Sequence, residues 1–306
     1  MRKIVVGTRD SRLASIQTQR VIQMLKKTGI KNSFIIKKLT TKGDKDLSTS
    51  IANVGKRGVF VHDIEKALQE REIDFAVHSL KDMPEAPSSR LIIAAIPERE
   101  DSREAYISRD HISFKDLPSG AVVGTSSARR VAQIRSIRPD LQTKWVRGPV
   151  DSRLEQLNRG HFDALILAVA GLRRLGLDEV ITEYLPIDTF IPAPGQGALA
   201  IECRKHDIEL QTMLKQIHNE SVARAVKAER DFLNMIDPQD KAPVGSYAVY
   251  NNRTITLNVF VSQADGKQPL YEVVQGSHAY TVAQKAFDKL VAQGVLKIIQ
   301  SFYEGA

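Results

Sequence analysis

Twice in its first two hundred residues the chain repeats one pattern: a short apolar run, a polar loop rich in Gly, Ser and Thr, then apolar residues at helical spacing. Strands alternating with helices at this spacing form α/β layers, with mostly parallel pairing expected. In the first pass Lys3–Val6 reads as a buried strand followed by Gly7-Thr8-Arg9-Asp10-Ser11. Ser11 or Asp10 is expected to cap a helix carrying Leu13, Ala14, Ile16, Val21, Met24 and Leu25, which Gly29 ends. Ser33–Leu39 is a second strand, and Val54-Gly55-Lys56-Arg57-Gly58 opens a helix through Phe60, Ile64 and Leu68. Asp74–Val77 then runs into His78-Ser79-Leu80-Lys81-Asp82-Met83-Pro84, and Leu91–Ile96 is a further strand.

The second pass begins with strand Ala121–Gly124, where Thr125-Ser126-Ser127 marks the start of a helix through Val131, Ile134 and Ile137. A strand is expected near Thr143–Val146, and Ser152 with Glu155 has the spacing of a capping box. Asp163–Val169 is a buried strand that leads into a helical segment, Gly171–Leu177. Prolines and glycines punctuate Ile191–Gly197 densely enough to make it a linker. Beyond it the texture changes. A helix over Ser221–Met235 precedes strand Thr254–Val261, a turn at Asp265-Gly266 and a return strand Leu270–Gln275. One helix from Val282 to Ile299 closes a small α+β region.

Composition narrows the partners. The 306 residues carry 44 Lys+Arg against 36 Asp+Glu, a net charge of +8, which implies an acidic partner, either nucleic acid or a small polyanion. A single cysteine, Cys203, excludes a disulfide framework and a multi-cysteine metal site. No run approaches the ~18 apolar residues that span a bilayer. Met1–Gly7 lacks the apolar stretch of a signal peptide, so a cytoplasmic location is expected.

The arginines favour the small polyanion. Arg129 and Arg130 follow Thr125-Ser126-Ser127 at a helix start, where unpaired N–H groups and the helix dipole favour anions. Arg147 follows a strand, Arg153 opens the next helix, and Arg173 and Arg174 follow another strand. Carboxyl-end loops of open α/β sheets converge on one crevice, so these groups are expected to share a site for several carboxylates or phosphates. Scattered solvated charge is the bland alternative. Asp82 beside Lys81, also after a strand, is either a carboxylate that stabilises a developing cation or a turn former ahead of Met83-Pro84. His78 alone is a packed, hydrogen-bonded residue more often than a ligand, and no metal spacing accompanies it. Gly55–Gly58 lacks the full phosphate-loop spacing, Gly195-Gln196-Gly197 lacks the dinucleotide fingerprint, and Cys203 reads as a small hydrophobe in a strand.

Together these segments resemble the porphobilinogen deaminase (hydroxymethylbilane synthase) family over nearly the whole chain. The matching motifs are Thr41-Lys42-Gly43-Asp44, Gly58-Val59-Phe60-Val61, His78–Asp82, Gly124–Arg130, Arg147-Gly148 with Arg153, Asp163–Ala168, Ala170-Gly171-Leu172 and Pro192–Leu199. The resemblance implies two periplasmic-binding-protein-like α/β domains plus a small α+β C-terminal domain. It implies domain 1 over 1–98 and 195–216, domain 2, with the Arg-rich anion site, over 99–194, and domain 3 over 217–306. The family joins porphobilinogens head to tail and releases ammonia each time. Loss of the aminomethyl nitrogen leaves a cationic pyrrole that the free α-carbon of the growing chain attacks. By resemblance Asp82 is the catalytic carboxylate. Arg9, Lys81, Arg129, Arg130, Arg147, Arg153 and Arg174 bind substrate carboxylates, with Ser11, Thr125, Ser126, Ser127 and Gln196 as polar partners and Phe60 beside the pyrroles.

Two positions depart from the pattern the resemblance implies. Family members carry a cysteine that bonds a dipyrromethane primer, and alignment on Phe232-Leu233 and on Pro243 through Ala248 places Asp240 there. Pro149 stands where an asparagine usually follows Arg-Gly, which removes a backbone N–H from the anion loop. The expectation is therefore a deaminase-like enzyme with no covalent cofactor, holding dipyrromethane or a pyrrole oligomer non-covalently if at all. The alternative is a non-catalytic pyrrole-binding or regulatory paralogue. Porphobilinogen is the expected partner, with no metal, nucleic acid or membrane, and the chain is expected to be a monomer.

Overall fold

A computed structural model describes residues 2–41, 61–84 and 88–304. Its strands, in chain order, are β1 (Ile4–Arg9), β2 (Phe34–Leu39), β3 (Phe75–Ser79), β4 (Leu91–Ala95), β5 (Glu104–Ser108), β6 (Val122–Gly124), β7 (Gln142–Lys144), β8 (Ala164–Ala168), β9 (Glu183–Leu185), β10 (Leu199–Arg204), β11 (Val244–Asn251), β12 (Thr254–Val261) and β13 (Leu270–Gly276). The α-helices are α1 (Arg12–Lys27), α2 (His62–Gln69), α3 (Ala128–Ile137), α4 (Val150–Asn158), α5 (Val169–Leu175), α6 (Ile208–Lys215), α7 (Glu220–Ile236), α8 (Ala279–Ala292) and α9 (Val295–Glu304). Two compact units result, Met1–Glu100 with Gly197–Ala223, and Asp101–Gln196 with Arg224–Ala306.

The first unit contains one sheet in the order β2-β1-β3-β10-β4, and the second contains β7-β6-β8-β5-β9 and a separate antiparallel β11-β12-β13. In the first sheet β1 runs parallel to β2 and β3, while β10 runs antiparallel to β3 and β4. In the second β6 is parallel to β7 and β8, while β5 is antiparallel to β8 and β9. The expectation of mostly parallel pairing is thus corrected to mixed sheets. A strand buried on both faces reads as a continuous apolar run whichever way its neighbours point, so the sequence does not reveal the reversal.

Cap chemistry explains several boundaries. Ser11 Oγ accepts the Ala14 N–H at 3.2 Å and Ser127 Oγ accepts the Arg130 N–H at 3.4 Å, which fixes the starts of α1 and α3. The capping box expected at Ser152 and Glu155 does not form. Pro149, with φ −58°, precedes the first residue of α4, so Ser152 lies inside the helix. The single closing helix is also corrected to two, because Gly294 adopts φ +87° between α8 and α9.

Apolar faces meet in separate cores. The first unit buries Val6, Leu25, Phe75, Leu199 and Ile201. The second unit buries Tyr106, Val123, Ile134, Ile166 and Phe190 around its five-stranded sheet, and Phe232, Leu257, Val259, Ala286 and Leu290 around its three-stranded one. Each fully buried Val, Leu, Ile or Phe side chain among these stabilises by about 1.5–3 kcal/mol.

Candidate anion and pyrrole site

The arginine motif at the start of α3 folds into a buried ion triad. Glu104, at the start of β5 and fully buried, places Oε1 at 2.5 Å from Arg129 Nη2 and Oε2 at 2.7 Å from Arg130 Nη2. Arg129 also donates to the Ile191 carbonyl at 2.8 Å and Arg130 to the Ile166 carbonyl at 2.8 Å. Two guanidinium groups share one carboxylate, which leaves the triad net positive. Burial holds Arg129 below the usual arginine range, against the opposing pull of Glu104. Arg130 Nε is buried with no hydrogen-bond partner among the described residues.

Arg153 extends this positive region. It sits half-buried in α4 and donates through Nε to the Gly148 carbonyl at 2.8 Å. Burial, then repulsion from Arg130 and Arg147, pushes its guanidinium down to about 10. Gly148, with φ +112°, and Pro149 thus turn a carbonyl toward Arg153, where a residue other than proline could have offered an N–H. Arg174 lies buried in the last turn of α5. Thr125 is buried, its Oγ1 accepting the Ser127 N–H at 3.3 Å, and Ser126 is half-buried. Gln196 is fully buried and donates to the Ser102 carbonyl at 2.9 Å.

The remaining candidates belong to the first unit. Asp82 ends a 3-10 turn, Leu80–Asp82, directly after β3. Its half-buried carboxylate has no hydrogen-bond or ion-pair partner among the described residues. Lys81 is half-buried beside it, Arg9 ends β1, and Ser11 is engaged as the cap of α1. His78 is packed and hydrogen-bonded, its Nε2 lying 3.1 Å from Oε2 of the fully buried Glu202. Phe60, the Thr41-Lys42-Gly43-Asp44 motif beyond Thr41, and the Gly55–Gly58 loop lie outside the described residues.

Glu104 is the member of this buried cluster that the sequence reading misses. Its signal was an acid at the head of the otherwise apolar run Ala105-Tyr106-Ile107, since a carboxylate buried in a strand needs a cationic partner.

Asp240 lies half-buried in the turn between α7 and β11, at φ +52°. Cys203 is buried in β10, and burial pushes its thiol up to about 12, so it is no nucleophile near neutral pH. Among the described residues no group of His, Cys, Asp or Glu is placed to hold a metal ion, and no helix is long and apolar enough to cross a membrane.

Two mixed α/β sheets, one carrying a net-positive arginine cluster at its helix starts, define the class of protein against which the chain compares. A family sequence model described as "Porphobilinogen deaminase, dipyromethane cofactor binding domain" matches residues 4–212. The chain is 48% identical over 305 residues to the porphobilinogen deaminase of Oceanobacillus iheyensis, with 99% of each chain covered. It is 46% identical over 301 residues to that of Lysinibacillus sphaericus, covering 98% of this chain and 97% of the relative. Among solved structures it is similar to the BvgS VFT2 domain of Bordetella pertussis (TM-score 0.42, 16% identity, 70% of this chain and 85% of that one). It is also similar to a YaeC-family lipoprotein from Enterococcus faecalis (TM-score 0.42, 15% identity, 73% and 94% covered). The chain belongs to the porphobilinogen deaminase family. Its fold class agrees with the expectation in its two α/β sheets and its small α+β C-terminal part.

Proposed function

We propose that this protein condenses porphobilinogen head to tail into a linear pyrrole chain, releasing ammonia at each addition. The observation that carries the reading is Arg153, a half-buried cation beside the buried Arg129–Glu104–Arg130 triad, held down first by burial and then by repulsion from Arg130 and Arg147. A ligand bearing several carboxylates relieves that repulsion, and porphobilinogen bears an acetate and a propionate. The relatives' name, porphobilinogen deaminase, supports the same reaction. The alternative of a non-catalytic paralogue has no observation in its favour.

In this reading Asp82 is catalytic. Its carboxylate stabilises the positive charge that develops on the substrate ring as the C–N bond breaks and ammonia leaves with the electron pair. Arg9, Lys81, Arg147, Arg153 and Arg174 bind carboxylates directly, and Arg129 and Arg130 do so with the charge that Glu104 leaves over. Thr125, Ser126 and Gln196 shape the site, Phe60 lies against the pyrroles, and the Ser11 and Ser127 hydroxyls, engaged as caps, hold the helix starts whose N–H groups face the anion. The same reading divides the chain into 1–98 with 195–216, 99–194 and 217–306, and makes it a cytoplasmic monomer.

The match to a cofactor-binding domain implies a dipyrromethane cofactor. When bound, it supplies the free pyrrole α-carbon from which a chain grows. The cationic residues fit its carboxylates, and the orphaned Arg130 Nε is a donor awaiting an acceptor. A thioether at Asp240 has no sulfur to form from, and Cys203 is buried elsewhere. We therefore hold the primer to be non-covalent.

Two measurements test this. Unmodified protein should release ammonia and linear pyrroles, and Asp82→Asn should cut turnover by about 100-fold or more at similar porphobilinogen affinity. Binding without ammonia release, even with added dipyrromethane, would end the enzyme reading. The intact mass after acid denaturation should equal that of the 306-residue chain. A mass heavier by two pyrrole units would show a covalent primer.

A further inference from the structure

The turn that carries Asp240 is built around one buried carboxylate. Asp237, 1% exposed at the end of α7, accepts the Lys241 and Ala242 N–H groups on Oδ2, each at 2.7 Å. Its backbone carbonyl accepts the Asp240 N–H at 2.9 Å, which closes the turn with Asp240 in left-handed backbone. The other oxygen of Asp237 accepts the hydroxyl of Tyr303, from the far end of the closing helix α9. Tyr303 is itself fixed by an edge-on ring contact with Phe302, centroids 5.5 Å apart. Burial and the facing Asp237 and Asp240 carboxylates keep the Tyr303 proton on its oxygen, available to donate.

The turn connects physically to the arginine cluster. Just beyond it, Gly245 lies so close that a Cβ there would come 2.9 Å from the Ile191 carbonyl oxygen and 3.3 Å from Arg129 Cδ. Ile191 and Arg129 are hydrogen-bonded to each other, Arg129 shares Glu104 with Arg130, and Arg130 bears on Arg153. Asp240 also contributes to the field at Arg129. An element this firmly anchored on both Asp237 oxygens is more than is needed to connect a helix to a strand.

We propose that Tyr303 is a positioning residue: through Asp237 it holds the Asp237–Ala242 turn in place, and that turn contributes to gripping a non-covalent dipyrromethane. The inference rests on the function proposed above. It assigns part of the hold on the primer, which a sulfur–carbon bond does not supply here, to a preorganised turn.

The test is calorimetric binding of dipyrromethane bearing acetate and propionate side chains. Tyr303→Phe keeps the ring and removes the donor. It should weaken dipyrromethane binding about tenfold, leave KM for porphobilinogen within twofold, and speed tryptic cleavage after Lys241 without speeding it elsewhere. Asp237→Asn, which keeps the shape but cannot accept all three side-chain bonds equally, should act in the same direction. Unchanged dipyrromethane affinity in either folded variant overturns the proposal, as does a loss of affinity matched by equal loss for porphobilinogen. Should both variants fail to fold, hydrogen exchange on unmodified protein decides: dipyrromethane should slow exchange at Lys241 and Ala242, and no slowing overturns the proposal. Ammonia release by unmodified protein is read separately, so a failed function and a failed turn give different results.

Discussion

Glu104 offers one negative charge to two buried guanidinium groups, and neither Arg129 nor Arg130 has ready access to water. Taking one partner from a buried ion network leaves the remaining charge unpaired, at a loss of about 3–5 kcal/mol. Glu104→Gln keeps the volume of the side chain and removes the charge, so a loss of that size is expected in urea unfolding. A change below about 1 kcal/mol would mean that the Ile191 and Ile166 carbonyls suffice to hold both arginines. The arginines themselves were legible in the sequence because a Ser/Thr-rich helix start followed by Arg-Arg has a physical meaning at that scale. Their acid was not, because nothing near Glu104 in the sequence marks it as their partner. Only the antiparallel pairing of β5 with β8 brings it to the start of α3.

At the scale of elements, short-range chemistry was readable and long-range contact was not. Asp265-Gly266 announced the β12–β13 turn, and Ser11 and Ser127 announced helix starts, since each acts within three or four residues. The break at Gly294 was missed because apolar periodicity continues through it, and the mixed pairing because strand direction leaves no local trace. Where the hairpin tip rests was equally hidden. Gly266, at φ +80°, packs so tightly on α3 that an added Cβ would come 2.6 Å from the Ala132 carbonyl oxygen and 2.7 Å from the Ser136 nitrogen. Gly29 has a similar φ, +91°, with nothing within 4 Å of such a Cβ. Left-handed backbone costs a residue with a Cβ about 1–2 kcal/mol, and both Gly→Ala variants carry that strain. Gly266→Ala alone adds a backbone clash, so its loss of stability should exceed that of Gly29→Ala by at least about 1 kcal/mol. Equal losses in thermal unfolding would show that the hairpin tip does not press on α3.

The whole molecule carries a net charge of +8, and that quantity makes a prediction no single residue makes. Composition alone implies an acidic partner, with nucleic acid the common expectation and a small polyanion the other. Arg129 and Arg130 are buried and turned inward onto Glu104, so they add little to the charge at the surface. A net positive charge is expected to speed encounter with a dicarboxylate, and salt screens that effect. The screening length falls from about 30 Å at 0.01 M to about 8 Å at 0.15 M ionic strength. Over that range kcat/KM for porphobilinogen should fall on the order of threefold. The turnover number should hold steady, because in the proposed mechanism the Asp82 carboxylate acts on charge developing within contact distance, where mobile ions do not intervene. A nucleic-acid ligand would respond far more steeply, since each phosphate contact adds about 0.9 to the slope of log affinity against log salt. Measuring both kinetic constants across that salt series separates the cases. A flat kcat/KM would show that the net charge does not steer substrate, and a falling kcat would place the salt effect in the chemistry instead.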